Sequence, residues 1–401
     1  MFEIYRNTFL EENTSRWWGE ETISRAWDEV TIYFYFAIVL FSMIIGWQIE
    51  IIKSKKICDT TSAKFKFKKR RSLRYRLYLF FLILIIILGC RHYSVGIDTI
   101  VYRNTIDNAV SLKQIFEDST SEPFYKILQY LIHLTIGSGT IGIFLYAVAT
   151  LMLVCKGFKN NLGNINVYLA LLVYTCIYFF PAMNLMRLSL AASFVFANFH
   201  YLIDGRYKMF LLIICFACMM HYSTAVLLIP LAMYLIYQRN RKLAFFFIII
   251  LTLIVLFGVT ILGDYISILN RYAGYIEGNE SSGRVGVMLF FDYLPALFVL
   301  YYIYKHKING RWSDLTVCFT SAALLVRLLA YFITAAGRLH VHFMFLTLIL
   351  IPYWAYYQKM RNIKDYKMYL CLCTIWALFR LHIYFTGYLV ADGIMPYKFA
   401  F

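Results

Sequence analysis

The sequence predicts an all-α, polytopic integral membrane protein, organised as a single transmembrane domain over residues 1–401. Hydrophobic residues make up 61% of the chain and charged residues only 15%, whereas a soluble domain carries about 25% charged residues. The apolar residues form runs that approach or reach the length needed to cross a hydrocarbon core of about 30 Å. We count about twelve such transmembrane helices, at 31–52, 75–89, 140–155, 165–180, 183–203, 207–220, 222–237, 243–262, 287–304, 314–333, 341–357 and 368–387.

The charge distribution predicts the orientation of these spans. The net charge is +17, and Lys and Arg residues next to transmembrane helices mark cytoplasmic loops. The acidic segment 1–30 is then external, and both termini are predicted to be non-cytoplasmic. Because the basic charge follows the topology, it indicates a lipid bilayer rather than a nucleic acid as the partner. The basic loops assigned to the cytoplasm are 53–76, 206–208, 239–242, 305–311 and 359–367.

Two predicted external loops, 90–122 and 263–286, are long enough to contribute to a functional site. Both contain Arg, carboxylates and Tyr, which suit a sugar ligand because aromatic faces stack on the ring and charged groups bind its hydroxyls. Polar residues are also typical of a solvated loop, and Tyr is typical of the membrane interface. Both interpretations of the loops stay open at this stage.

Several Arg residues lie where hydrocarbon is expected. Arg187, Arg327 and Arg380 are within apolar runs, and Arg338 lies between two of them. A guanidinium at bilayer depth costs at least about 2.5–3.5 kcal/mol. An anionic ligand would offset part of that cost. The alternative is internal pairing with backbone carbonyls, Tyr hydroxyls or an acid. We favour such internal pairing for the deeper Arg327 and Arg380.

Four polar motifs are predicted to share the external side of the membrane. The spacing of three between Asn184 and Arg187 also places those two side chains on one face of a helix. We expect the motifs to surround an outward-facing cavity. They are Arg91-x4-Gly96-x-Asp98-x3-Tyr102, Asn184-x2-Arg187, His221-Tyr222-Ser223, and Gly337-Arg338 with His340 and His342.

These motifs resemble those of the EpsG branch of the Wzy-type polysaccharide polymerases. Residues 91–102, RHYSVGIDTIVY, are similar to the signature R-x4-G-x-D-[TY]-x2-Y of that branch. The resemblance continues through EPFYKIL, NLMRLSLAASF, HYSTAVLL and IMPYKF, and covers most of residues 88–400. Two positions depart from the pattern: Met220 stands where an aromatic residue is common, and Leu188 where Gln is common.

The resemblance implies an enzyme of the bacterial plasma membrane. Such polymerases transfer a growing glycan from its polyprenyl diphosphate carrier to the non-reducing end of a lipid-linked repeat unit at the outer face. The implied substrate is an undecaprenyl-diphosphate-linked oligosaccharide, a chain-length regulator is a further candidate partner, and no cofactor or metal is expected. Guanidinium groups at membrane depth fit this chemistry independently, because they recognise phosphate oxygens in bidentate fashion.

The candidate catalytic residues are Asp98, His221 and Arg187. A base must activate the acceptor hydroxyl, which is typically worth about 10²–10⁴-fold; we favour Asp98 or His221, with Glu122 as a further candidate. His221 as a buried structural imidazole and Asp98 as a salt-bridge partner of Arg91 or Arg103 are the alternatives. The candidate substrate- or diphosphate-binding residues are Arg91, Tyr102, Glu122, Asn184, Arg271, Arg284 and Arg338.

Other functions fit the same architecture. An O-antigen ligase-like glycosyltransferase would use the same donor with a different acceptor. A flippase or transporter of a lipid-linked sugar would require a charged path across the whole membrane. A polytopic acyltransferase would require a catalytic His at membrane depth with acid partners.

Overall fold

The computed structural model of the protein describes residues 27–54, 63–109, 111, 113, 122–254, 291–332, 334–361, 363–387, 389 and 392–400. Within these ranges every regular element is helical, and the extended pairing is limited to one isolated antiparallel bridge between Arg91 and Phe399. The all-α prediction is therefore confirmed. The predicted external loop 263–286, with Arg271 and Arg284, lies outside the described residues, as does most of segment 1–30.

In chain order, the helices are α1 (Glu29–Ser54), α2 (Ala63–Gly89), α3 (Thr99–Asp107), α4 (Pro123–Ile136), α5 (Gly139–Asn161), α6 (Val167–Val173), α7 (Met186–Ala197), α8 (Tyr207–Met220), α9 (Leu228–Arg239), α10 (Arg241–Leu253), α11 (Leu294–Lys305), α12 (Arg311–Phe332), α13 (Ile351–Met360) and α14 (Tyr366–Gly387). A one-turn helix at His200–Ile203 follows α7. Short π and 3-10 turns extend or connect the other helices, at Tyr174–Phe179, Pro181–Met183, Tyr222–Leu227, Thr334–Phe343 and Leu346–Leu350.

The prediction of a multi-pass membrane protein is confirmed in this coarse form. Among the described residues, six helices are long and apolar enough to cross a bilayer, and a bent pair, Gly337–Phe343 with Leu346–Met360, would make a seventh. The two helices of that pair meet at 48°. Three further apolar helices are shorter, at Val167–Phe179, Tyr207–Met220 and Leu294–Lys305.

Two predicted loops contain helical structure. Helix α2 begins at Ala63, inside the basic segment 53–76, because Lys and Arg are good helix formers. The loop 90–122 contains α3, which Asp98 precedes. Helix α4 follows that loop; it begins at Pro123, which suits the first position of a helix, and ends at Gly137 with φ of 67°.

The helices run in alternating directions, so their ends gather into two groups. At the lower end, Glu50 near the end of α1 accepts a hydrogen bond from Val167 N at 2.9 Å, and Lys359 near the end of α13 donates to Glu50 at 3.2 Å. At the upper end, Tyr397 N donates to Thr31 Oγ1 near the start of α1 at 2.8 Å. The upper end is therefore where α1 begins and where the segment after α14 returns.

The segment after α14 packs along the loop that follows α2. His92 N donates to Lys398 O at 2.8 Å, and Gly96 N donates to Gly393 O at 2.9 Å. Gly96 has φ of 90°, and a Cβ at this position would lie 2.3 Å from Met183 O, so glycine is required there. The C-terminal residues thus hold the Arg91–Asp98 loop against the turn that precedes α7.

The core surrounds α6, whose residues are almost all buried. Helix α1 approaches α6 closely at Gly46, where a Cβ would lie 2.7 Å from the Tyr168 Cα. Helix α5 approaches α7 in the same way at Gly157, where a Cβ would lie 2.3 Å from the Phe196 ring. Small residues at such crossings allow close helix packing, which is the main driving force for association in a bilayer. Both crossings lie near the lower ends of α6 and α7.

Candidate functional site

The carboxylate of Glu122 joins an arginine and a histidine at the upper end of the bundle. Arg187 Nη1 donates to Glu122 Oε2 at 2.9 Å, and His221 Nδ1 lies 2.8 Å from Glu122 Oε1. We call these three residues the Glu122 cluster. The side chain of Glu122 is only 5% exposed, whereas those of Arg187 and His221 are 28% and 27% exposed. The carboxylate that joins the cluster is thus buried, and its two basic partners are partly exposed.

Each member of the Glu122 cluster lies at a helix end. Glu122 precedes Pro123 and is extended, with ψ of 145°, as expected for a residue before proline. Arg187 lies in the first turn of α7. His221 terminates α8 in an extended conformation, with φ of −157°. Helix ends supply the irregular backbone that lets three side chains distant in sequence converge.

Two tyrosine rings hold the Arg187 guanidinium in place. The Arg187 Cζ atom lies 5.7 Å from the centroid of the Tyr102 ring and 5.0 Å from that of the Tyr125 ring. Both distances are within the range of cation–π attraction. Tyr102 comes from α3 and Tyr125 from α4, so the two short upper-end helices act as the wall behind Arg187.

Glu122 is held in its charged form. Burial alone raises the pKa of the Glu122 carboxyl, but the hydrogen bond from His221 and the positive charges of His221 and Arg187 outweigh it and lower that pKa below the ordinary value of 4.5. Tyr222 N also points to Glu122 Oε1 at 3.4 Å. In the neutral form of His221, a proton on Nδ1 that points toward Glu122 leaves a lone pair on Nε2.

Asn184 organises a second group of acids next to this cluster. It accepts a hydrogen bond from Asp98 N at 2.8 Å and donates to Asp392 Oδ1 at 3.0 Å. Tyr384 OH donates to the other oxygen of Asp392 at 2.7 Å. Burial raises the pKa of the Asp98 side chain, and the nearby Arg338 and Arg187 charges oppose this rise. Asp98 is thus within electrostatic range of both arginines.

Asp392 is a site residue that the sequence reasoning missed. Its side chain is buried, and burial raises its pKa against the opposing hydrogen bonds from Tyr384 and Asn184. It belongs to the segment that returns over the upper end after α14. The similarity of IMPYKF to the end of the polymerase family was the signal that could have pointed to this segment.

Arg91 lies behind the site. It is 1% exposed, and it donates to Met183 O at 3.0 Å, to Val95 O at 3.3 Å and also to Leu88 O. These acceptors are backbone carbonyls. Such carbonyls are one of the alternatives to an anionic ligand that the sequence leaves open for arginines at membrane depth. Through these acceptors Arg91 ties the loop after α2 to the turn before Asn184.

The 3-10 segment after α12 adds Arg338 and two histidines. Arg338 is exposed, and its charge acts on both Asp98 and Asp392. His342 is 1% exposed and its Nε2 atom lies 2.8 Å from Ser223 Oγ, while its ring centroid is 6.3 Å from that of His221. The fourth sequence motif therefore meets the third.

The two deeper arginines pair with an acid. Arg327 and Arg380 both contact the carboxylate of Asp292, which is 3% exposed. We call these residues the Asp292 cluster. This agrees with the interpretation favoured for them above, although Asp292 was not named. Arg271 and Arg284 belong to the part of the chain that is not described, so they are not placed relative to either cluster.

The described residues contain no group of three His, Cys, Asp or Glu side chains that could hold a metal ion. The polar atoms that the site presents include guanidinium donors, carboxylates and the partly exposed imidazole of His221. These groups can bind an anion, orient hydroxyls and accept a proton.

The helical multi-pass fold and the charged cluster at one end of its bundle define a membrane protein with a polar site at that end. The model of the EpsG family matches residues 74–399, and the chain belongs to that family. It is a polymerase-like membrane protein of polysaccharide biosynthesis, glycosyltransferase-like in general class. The matched range contains both clusters and Asp392. No curated protein and no solved structure matches the chain.

Proposed function

We propose that this protein polymerises a bacterial polysaccharide at the outer face of the plasma membrane. In this proposal it transfers the growing glycan from polyprenyl diphosphate to the non-reducing end of a lipid-linked repeat unit. The observation that carries the proposal is the Glu122 carboxylate bridging Arg187 and His221, in a chain of the EpsG family. One carboxylate thereby aligns an anion-binding group and a proton acceptor.

The topology required by this function places the upper end outside. Basic residues such as Lys53 and Lys359 lie at the lower end, and the positive-inside rule assigns that end to the cytoplasm. We propose about twelve spans, external termini and a cavity that opens outward at the Glu122 cluster. This arrangement gives a lipid-linked substrate access from the outer leaflet.

The proposed role of Arg187 and Arg338 is to bind the diphosphate of the donor. Arg187 is fixed by Glu122 and two tyrosine rings, and Arg338 is exposed beside Asp98. Guanidinium groups that are already in position stabilise the charge that develops on a departing diphosphate. In this scheme Arg91, which donates to backbone carbonyls, positions the Asn184 turn instead of contacting the substrate.

The proposed general base is His221. Glu122 orients its Nδ1–H, so Nε2 can take the proton of the acceptor hydroxyl while that oxygen attacks the anomeric carbon. The bond between the anomeric carbon and the diphosphate oxygen breaks, and polyprenyl diphosphate leaves with the electron pair on its oxygen. Attack from the face opposite the leaving group inverts the anomeric configuration. Asp98, held by Asn184, accepts a hydrogen bond from the acceptor sugar.

The test is deletion of the protein followed by analysis of lipid-linked glycans on each side of the membrane. A polymerase predicts that single repeat units accumulate at the outer face. Repeat units retained at the cytoplasmic face would instead identify a flippase, and long polymer retained on its lipid would identify a ligase. Either of these two results would overturn the proposal.

The chain-length regulator and the carrier are testable as partners by the same analysis. If a regulator acts on this polymerase, its removal changes the length distribution of the polymer without causing single repeat units to accumulate. Full-length polymer in the absence of polyprenyl diphosphate donors would contradict the assigned donor chemistry.

A further inference from the structure

A pocket opens at the lower end of the bundle, opposite the Glu122 cluster. It lies among the end of α1, the start of α6, the end of α13 and the start of α14, and its volume is about 830 Å³. This is within the range of roughly 300–1,000 Å³ that ligand sites occupy. None of the residues that line it contributes to the chemistry proposed above. We call it the Lys359 pocket.

The polar side of the Lys359 pocket is cationic. Lys359 Nζ donates to Glu50 Oε2 at 3.2 Å and to Ser54 Oγ at 2.9 Å. An ammonium has three donors, and the contacts with the described residues use two of them, which leaves one for a ligand. Lys367 lines the same pocket and is exposed. Glu50 also pairs with Lys53 at 2.9 Å, and its single charge therefore cannot neutralise the three lysines.

A hydroxyl in the pocket provides a further donor. Tyr366 OH accepts a hydrogen bond from Asn166 Nδ2 at 3.1 Å, which leaves the hydroxyl hydrogen of Tyr366 for another acceptor. Asn166 is buried and also caps α6 by accepting from Leu169 N at 2.9 Å. Its orientation is thereby fixed, and so is the phenol that it holds.

The opposite wall of the pocket is apolar and faces outward from the bundle. Trp47 is 61% exposed and Ile375 is 58% exposed, and both line the pocket. Ile51 and Leu370 continue this wall. In a membrane protein, such exposed apolar side chains contact acyl chains. Trp also favours the depth of the lipid headgroups.

We propose that the Lys359 pocket binds an anionic phospholipid. The phosphate contacts Lys359, Lys367 and the Tyr366 hydroxyl, and the acyl chains lie along Trp47 and Ile375. Basic pockets between transmembrane helices on the cytoplasmic side recognise anionic headgroups in this way. The charge of the pocket selects against zwitterionic lipids, and the apolar wall distinguishes a lipid phosphate from a free one. This inference does not depend on the proposed polymerase activity.

The binding test uses the full-length protein purified in detergent and titrated with dioleoyl phosphatidylglycerol. We expect the anionic lipid to raise the midpoint of thermal unfolding, because a ligand that binds the native state stabilises it, and dioleoyl phosphatidylcholine to leave it unchanged. Lys367→Gln should weaken the affinity about fivefold, as expected for one lysine near a lipid headgroup. Lys364→Gln is the matched control, because Lys364 lies in the connection just before α14, three residues from Lys367, and does not line the pocket.

The location is tested with acyl chains that carry bromine, which quenches nearby tryptophan. Brominated phosphatidylglycerol should quench a component of the emission that Trp47→Phe removes. Lys367→Gln leaves the contact between Lys359 and Glu50 intact. The binding test therefore does not depend on the folding of a Lys359 variant.

Several outcomes would overturn the proposal. These are an equal shift with phosphatidylcholine, an equal loss of affinity in Lys364→Gln, and unchanged quenching in Trp47→Phe. A full shift with inorganic phosphate alone would show a site for free anions. Tighter binding of a polyprenyl phosphate than of phosphatidylglycerol would assign the pocket to the carrier lipid instead.

Discussion

The Glu122 and Asp292 clusters use similar groups in different settings. In each, a carboxylate that is at most 5% exposed contacts two basic side chains. The arginines of the Asp292 cluster are 12% and 13% exposed, whereas Arg187 and His221 are 28% and 27% exposed. One cluster therefore keeps its charges inside the protein, and the basic groups of the other are partly exposed.

The second difference is the identity of the basic partners. The Asp292 cluster has two arginines, which remain protonated under all ordinary conditions. The Glu122 cluster has one arginine and one histidine, and histidine can take up and release a proton near neutral pH. A buried arginine therefore does not by itself identify a functional site. The exposure of its guanidinium and the identity of the second basic group on the same carboxylate distinguish the two clusters.

The largest effect is expected from Arg187→Ala. An arginine that stabilises a departing phosphate group is worth about 10³-fold or more, so polymer should fall below detection in cells while the protein remains in the membrane. Arg103→Ala is the control, since Arg103 lies at the same end and pairs with Asp107 at 3.3 Å instead of with Glu122. Normal chain lengths in Arg187→Ala would exclude Arg187 from the site.

His221→Gln should lower the rate of polymerisation by about 10²–10⁴-fold, because the general base is lost. The rate is measured with purified protein and lipid-linked repeat units. Binding of the donor should change little, because Arg187 stays in place. His200→Gln serves as the histidine control, since His200 lies in the segment that follows the lower end of α7. A His221→Gln variant with the wild-type rate would show that another group accepts the proton.

Asp292→Asn should lower the free energy of unfolding by about 3–5 kcal/mol, because it leaves two buried arginines without their shared charge. Glu122→Gln is the matched substitution in the other cluster and should cost less stability, since Arg187 and His221 can reach water. Thermal unfolding of both purified variants measures the contrast. Equal losses of stability would remove the distinction between the two clusters.

Protonation of Asp98 should contribute to the acid limb of the activity, together with protonation of the general base. The raised pKa of Asp98 means that the carboxylate is lost at a higher pH than the ordinary value of 3.8, so the rate falls as pH decreases through that raised pKa. The Arg338 charge lowers the pKa of Asp98. Arg338→Gln should therefore move the acid limb to higher pH, and Arg103→Gln should not.

The pKa of Glu122 is shifted in the opposite direction from that of Asp98. The folded-state pKa of Glu122 is lowered from 4.5, so its ion pairs stabilise the protein above pH 4.5, and that contribution is lost as pH falls through the lowered value.

An acid limb that stays in place in Arg338→Gln would argue against Asp98 as the titrating group.

The smallest effect is expected from the tyrosines behind Arg187. Tyr125→Leu removes a ring 5.0 Å from the guanidinium, and cation–π contacts of this kind are worth about 0.5–2 kcal/mol. The rate should fall a few-fold to about 30-fold. Tyr125→Phe keeps the ring and should stay near the wild-type rate. If both variants lose activity equally, the hydroxyl rather than the ring supports Arg187.

Some of the site was predictable from short sequence patterns. Topology placed His221 at the end of the bundle where α7 begins. The prediction that Asn184 and Arg187 share one helix face is wrong, because α7 begins at Met186 and Asn184 lies in the turn before it. Glu122 was named because EPFYKIL resembles the family. Asp392 was missed because its partners Asn184 and Asp98 are separated from it by 208 and about 290 residues, and no local pattern records such a contact.

The sequence by itself determined the helical class and the membrane setting, because hydropathy acts locally along the chain. The charges of the loops predict which side of the membrane the motifs face. Only the tertiary structure decided which groups each arginine contacts. Arg187 pairs with Glu122, and Arg327 and Arg380 pair with Asp292. Arg91 donates to backbone carbonyls. The physical reason is that these pairings depend on where the ends of packed helices meet. That placement follows from close crossings such as Gly46 on Tyr168, which hydropathy does not encode.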